Sequence, residues 1–321
     1  MSASLIENPT PCTSPAAEFL EDVLKGLSSA PRSVPSKYFY NDIGSTFFDA
    51  ICELDEYYPT RVESEIMNRY GNEIACRLGS EVRLVEYGSG SSTKTRILLD
   101  HLVNPCLYVP VDISNQHLNR TADALAKDYP LLSVAPVAAD FTRPFAVPKG
   151  EFEPCRTCVY FPGSTIGNFA QAEAIQLLAD IAHRCERGDG LLIGFDLRKD
   201  IDVLESAYND RAGVTAAFNK NLLHRMNSEL SANFNTYQFS HHAFFNDAAG
   251  RIEMHLVSQR EQTVSIADYS FQFDRNETIC TEYSHKYSIS EFKRMTAQVG
   301  WQCKETWTDE RHYFAVMYLE R

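Results

Sequence analysis

Four short stretches carry residue types that could hold a small polyfunctional ligand. Glu86-Tyr87-Gly88-Ser89-Gly90-Ser91-Ser92-Thr93 places two glycines after an apolar run, where a backbone without side chains lets a ligand approach closely. The third glycine of a dinucleotide fingerprint falls at Thr93, so that signature is incomplete. Asp112 ends a second apolar run and suits the hydroxyls of a ribose. Asp140-Phe141 ends a third; its carboxylate could take an adenine amino group and its ring could cover the base. Pro162-Gly163-Ser164-Thr165-Ile166-Gly167-Asn168 ends a fourth. Asn168 offers a carbonyl oxygen and an amide nitrogen, so it can hold an amine or a carboxylate without adding charge. Lys94 could reach a ligand carboxylate. Each piece also has a plainer explanation: a tight turn, a strand-end cap, a turn asparagine, a solvated lysine.

Other constellations point away from other chemistries. Cys155-Arg156-Thr157-Cys158 has no second CxxC and no HxxxH partner, so no metal site is expected. His241-His242 on a strand would direct its rings to opposite faces, a poor chelate. No P-loop and no Gly-x-Ser-x-Gly elbow occurs. The net charge of −13 repels phosphate backbones, which disfavours nucleic acid as a ligand. Nine scattered cysteines read as reduced thiols in the cytoplasm. Met1 to Pro15 lacks the charged and apolar regions of a signal peptide, and no apolar run approaches the roughly 20 residues of a membrane span.

The elements that must position these residues alternate. Strands are expected at 82–87, 106–111, 133–138, 158–161 and 191–195. Helices are expected at 92–102, from a Ser114 cap to about 128, and at 170–186. Such alternation predicts an α/β fold with a doubly wound, parallel sheet, and it brings all four stretches to the carboxyl ends of strands. The alternation stops at 197–286, where a helix (215–230) and strand-like segments, with a turn at Ala248-Ala249-Gly250, predict an inserted α+β lobe. A helix at 290–298 and a closing strand pair, 301–307 and 313–319, follow. The expected division is 61–196 with 287–321 for the sheet domain, and 1–60 with 197–286 for the lobe. Chain length and a 44% hydrophobic content allow this much core.

A glycine loop, a ribose acid and an adenine acid in this order resemble the S-adenosylmethionine site of class I methyltransferases. A longer set of motifs is more specific: Lys37-Tyr38-Phe39-Tyr40-Asn41-Asp42-Ile43-Gly44-Ser45, Glu56-Tyr57-Tyr58-Pro59-Thr60-Arg61, Gly163 to Asn168, Ala207-Tyr208-Asn209-Asp210, Ala212 to Asn219, Arg251-Ile252-Glu253-Met254 and Thr281-Glu282-Tyr283-Ser284. From about Ala17 onward the chain resembles the histidine-specific N-alpha-methyltransferases of ergothioneine biosynthesis. The resemblance implies a Rossmann-like class I methyltransferase with a substrate lobe, trimethylating the α-amine of L-histidine to hercynine with S-adenosyl-L-methionine as methyl donor. It implies Gly88, Gly90, Lys94, Asp112, Asp140, Phe141 and Gly163 at the cofactor. It implies Asn168 and Tyr208 at the amine and carboxylate end, Tyr57 beside the substrate with Tyr40 near it, and Glu282, Ser284 and Met254 around the imidazole. Tyr57 and Asn168 are the implied catalytic pair. The implied partner is a small molecule, with neither nucleic acid nor membrane, on a monomeric enzyme.

These residue types fit an in-line displacement on a neutral amine, in which positioning does most of the work. Tyrosine and asparagine orient an amine without a fixed charge. An imidazole has two ring nitrogens, and Glu282 can accept from one while Ser284 serves the other. Alternatives stay open at this point. A changed pocket could select tryptophan or tyrosine, the chain could bind cofactor without catalysis, or the sheet could serve a nicotinamide oxidoreductase.

Overall fold

A computed structural model describes residues 14–90, 92–150 and 154–321. Cys12, Ser91 and nearly all of the segment read for a signal peptide lie outside them. In chain order the strands are β1 (Arg32–Ser33), β2 (Val82–Tyr87), β3 (Leu107–Asp112), β4 (Ser133–Val134), β5 (Val137–Ala138), β6 (Arg156–Phe161) and β7 (Gly190–Asp196). They continue with β8 (Phe239–Asn246), β9 (Arg251–Ser258), β10 (Gln262–Ile266), β11 (Tyr269–Phe273), β12 (Thr278–His285), β13 (Gln302–Thr308) and β14 (Phe314–Glu320).

The main sheet has the order β13-β14-β7-β6-β2-β3-β4, with β5 also beside β3. Its inner pairs are parallel, and only β14 on β7 and β13 on β14 run antiparallel. A parallel sheet covered on both faces needs apolar residues on both, and β7, Gly190–Asp196, is buried along its whole length. The chain leaves β2 first toward β3 and later returns to β6 on the other side. That reversal opens a crevice at the carboxyl ends of β2 and β6, the place where open α/β sheets bind ligands. The expected strand at 133–138 is two short pieces, β4 and β5. Pro136 between them has no N–H to give a ladder, so pairing with β3 lapses there.

A second sheet, β1-β12-β9-β8, is built from the inserted segment and joined by β1 of the N-terminal segment in parallel with β12. The helix Val214–Glu229 packs on β8 and β9, and the helix Asp42–Cys52 packs on Val214–Glu229. One hydrophobic cluster runs from Phe19 and Phe39 through Tyr57, Leu84 and Tyr160 to Met254 and Ile279, so the two sheets share core side chains. That shared core is what fixes residues of one sheet against loops of the other.

Candidate active site

At the end of β2 the chain turns at Gly88, whose φ of +71° is a conformation that L side chains rarely adopt. Asp112, at the end of β3, holds this turn in place. Its carboxylate accepts the Gly90 N–H at 3.2 Å and the Ser114 N–H at 2.9 Å. Ser114 sits at the start of the helix Asn115–Asp128, but its own hydroxyl makes no capping bond; Asp112 reaches that backbone instead. Asp140 accepts from the Thr142 N–H and hydroxyl. The Phe141 ring stacks on Tyr87 at 5.3 Å and meets Phe161 and Phe169 edge-on.

These groups border a cavity of about 870 Å³, large enough for a nucleoside-bearing cofactor beside a small substrate. Gly88, Gly90, Lys94, Asp112, Asp140, Phe141, Gly163, Asn168, Tyr40, Tyr57 and Glu282 all line it. Three expected residues do not. Tyr208, Ser284 and Met254 are buried just behind the wall. Met254 pairs across the sheet with Glu282, but its side chain belongs to the core. Tyr208 donates to Ser284 Oγ at 2.8 Å, and its ring lies 6.1 Å from that of Tyr57.

Lys94 lies on the wall with its ammonium already engaged. It bonds Glu63 at 2.5 Å, and the same buried carboxylate accepts the Gly163 N–H at 2.9 Å. Glu63 comes from the helix Tyr58–Leu78 and clamps the loop after β6 to the glycine turn side. Nothing in its local sequence marks it, since a single Glu within a helix reads as a solvated residue. Glu86, in the glycine motif, accepts from Thr95 at 2.7 Å and from Tyr108. Burial pushes it up to about 7, against those two hydrogen bonds.

The loop Pro162 to Asn168 packs against β12. A Cβ on Gly167 would lie 2.8 Å from the His285 carbonyl oxygen, so only glycine allows this approach. The contact seats the Asn168 loop against the strand that carries Glu282. The Glu282 carboxylate has no hydrogen-bond partner among the described residues, and burial pushes it up to about 7 with Lys286 opposing. Tyr40 and Tyr57 are held well above the usual phenol range, chiefly by burial, so they act as neutral O–H groups. Tyr40, Phe48 and Tyr57 form an aromatic wall with centroids 5.7 and 6.2 Å apart.

Behind that wall lies a charge network that sequence reading did not find. Asp196, at the end of β7, binds Lys286 at 2.8 Å, Lys199 at 2.5 Å and Tyr58 at 2.6 Å. Burial would raise the Asp196 carboxyl, but the two lysines outweigh it and hold it below the usual range. Among the described residues one cluster, Glu253, His255 and Cys280, has metal-ligand types within 4.8 Å of one another. Arg251 and Asn246 already bond its carboxylate.

An open, largely parallel sheet with a glycine turn, strand-end carboxylates and a cavity at the switch point is the class I S-adenosylmethionine-dependent methyltransferase fold. The chain belongs to the family of histidine-specific, S-adenosylmethionine-dependent methyltransferases, whose model matches residues 19–321. It is 39% identical to a histidine N-alpha-methyltransferase of Mycolicibacterium smegmatis over 95% of this chain and 96% of that one. It is also 39% identical to one of Mycobacterium tuberculosis, over 92% of each. Ergothioneine biosynthesis protein 1 of Neurospora crassa is 28% identical over 88% of this chain, which spans 32% of that longer protein.

Proposed function

We propose that the chain methylates the α-amine of L-histidine with S-adenosyl-L-methionine, carries the reaction to the trimethylated product hercynine, and so opens ergothioneine biosynthesis. The observation that carries this reading is Glu282. Its carboxylate is an acceptor without a partner among the described residues, on the wall of an otherwise largely aromatic end of the cavity. An indole or phenol would gain little from a desolvated carboxylate there, whereas an imidazole N–H satisfies it.

The residues at the crevice fit the methyl donor. Asp112 is positioned for a ribose, Asp140 and Phe141 for a base, and Lys94 with Gly163 for the amino-acid end, where Glu63 tempers the lysine charge. When bound, that sulfonium supplies an electrophilic methyl group. The chain's own residues orient the amine. Asn168 and Tyr57 line the same cavity and offer neutral hydrogen-bonding groups, so the amine is held without being fixed in its protonated form. Each methylation builds a substituted ammonium, and the faces of Tyr40, Phe48 and Tyr57 attract such a cation.

Residues 1–60 and 197–286 serve as the substrate lobe in this reading, and 61–196 with 287–321 as the methyltransferase domain. We further assign a monomeric, cytoplasmic enzyme; the described cysteines are all free thiols, and no described helix is long and apolar enough to cross a membrane. Mass spectrometry of products after mixing the protein with S-adenosylmethionine and the twenty amino acids tests the function. A mass gain of three methyl groups on histidine is expected, and methylation of another amino acid in its place would overturn it.

A further inference from the structure

Lys286 is fully buried and donates to three acceptors: Asp196 at 2.8 Å, Tyr208 Oη at 3.0 Å and Ser284 Oγ at 2.9 Å. An ammonium has three hydrogens and no lone pair, so it is fully used and can only donate. Tyr208 passes its own hydrogen to Ser284 Oγ at 2.8 Å. Ser284 therefore receives two hydrogen bonds, which occupy both its lone pairs, and its hydrogen has no acceptor among the described residues. Glu282 precedes Ser284 by two residues and Lys286 follows it by two, the spacing that shares one face of an extended strand.

The polarity of this end of the site follows. Ser284 can only donate, and an ionised Glu282 can only accept. A neutral imidazole meets both needs, with a lone pair on one nitrogen and a hydrogen on the other. An indole has no acceptor nitrogen, and an imidazolium presents two hydrogens.

We propose that Lys286, anchored by Asp196, is the positioning residue that fixes Ser284 as a donor and thereby makes the site read the acceptor nitrogen of a neutral imidazole. The proposal rests on the reading that the histidine ring meets Glu282 on the cavity wall and reaches the Ser284 hydroxyl just behind it. It assigns to Lys286 no contact with substrate or methyl donor; its effect passes through one hydroxyl.

The test is a double-mutant cycle. Steady-state kinetics with L-histidine and calorimetric affinity for S-adenosylmethionine are measured for wild type, Lys286→Met, Ser284→Ala and the double variant. Loss of one oriented hydrogen bond in a dry site corresponds to about a ten- to hundredfold effect. Lys286→Met should lower kcat/KM for histidine by about that factor, mostly through KM, with cofactor affinity within roughly twofold. In the Ser284→Ala background the same change should add less than about twofold, since the hydroxyl it orients is gone. Multiplicative losses in both backgrounds, an unchanged KM, or a parallel fall in cofactor affinity would overturn the proposal. If Lys286→Met does not fold because Asp196 loses a partner, Lys286→Met/Asp196→Asn/Lys199→Met removes all three charges of the network and faces the same expectations. A wild type that leaves histidine unmethylated refutes the substrate reading itself. An active wild type with additive losses refutes only the role of Lys286.

Discussion

Glu282 carries the substrate argument at the scale of a single residue, and two of its properties can be tested separately. Its carboxylate faces the cavity without a partner among the described residues, so an imidazole N–H gains an acceptor that no apolar ring needs. Glu282→Ala should lower kcat/KM for histidine by about ten- to a hundredfold, while tryptophan and phenylalanine gain relative to histidine. Kinetics with the three amino acids check this, and undiminished histidine preference would remove Glu282 from the ring site. Met254 is core rather than wall, so shortening it should cost stability and add little to the shift in preference. The second property is a stability effect in the ligand-free protein. The Glu282 carboxyl is raised from its usual 4.5 to about 7 by burial. A raised acid favours folding fully below its unfolded value, and that advantage is lost as pH rises through the folded value. Water in the open cavity limits the penalty to roughly 1–3 kcal/mol. Glu282→Gln should therefore gain a few degrees in Tm over wild type at pH 8 compared with pH 5. Thermal melts at the two pH values decide it; a constant difference would mean that Glu282 ionises freely.

At the scale of elements, the sequence makes the strand-end residues legible because each follows its own apolar run. Asp112, Asp140 and Asn168 could be placed without knowing the fold's details. Glu63, Asp196 and Lys286 could not, because their meaning comes from partners distant in the chain. Glu63 meets Gly163 and Lys94 from a separate helix, and Lys286 meets Asp196 only when the second sheet is docked on the first. The split of the expected strand at 133–138 was in principle visible in Pro136. The loop from Pro162 to Asn168 shows how an element is positioned by what it lacks. Gly167 lies against the β12 backbone, where a Cβ would sit 2.8 Å from the His285 oxygen. Gly167→Ala should push the loop from the strand and move Asn168 relative to Glu282. A displacement of about 1 Å at a reacting group can cost about a hundredfold in rate. The expected outcome is a fall in kcat of tenfold or more with cofactor affinity changed by less than about threefold. Equal losses in both would show that the loop serves the cofactor instead.

For the whole molecule, charge acts at two ranges that experiment can separate. At long range, the net charge of −13 attracts S-adenosylmethionine, whose sulfonium and ammonium outnumber its carboxylate. S-adenosylhomocysteine has no sulfonium and no net charge, so it gains little from that field. At short range, the cavity is bordered by part-exposed ion pairs joining the N-terminal segment to the loop after β5. Lys37 lies 2.6 Å from Glu18, 3.1 Å from Asp22 and 3.9 Å from Asp140, and Arg143 lies 2.7 Å from Glu18. Burial lowers the tendency of Lys37 to hold its proton, but Glu18 and Asp22 outweigh this and raise its pKa, so it stays charged. Each partly exposed pair contributes only about 0–1 kcal/mol, yet together they tie Asp22, Lys37, Asp140 and Arg143 along the cavity rim. Salt should therefore slow the association of S-adenosylmethionine far more than that of S-adenosylhomocysteine. It should speed the dissociation of both, because loosening the rim is indifferent to ligand charge. Lys37→Met should raise both dissociation rates by roughly two- to tenfold, the effect of one or two such pairs, and should flatten their dependence on salt. Stopped-flow binding between 0.05 and 0.5 M NaCl, read for both ligands in both proteins, separates the two ranges. Dissociation rates unchanged by Lys37→Met would show that the ion pairs border the cavity without retaining its ligand.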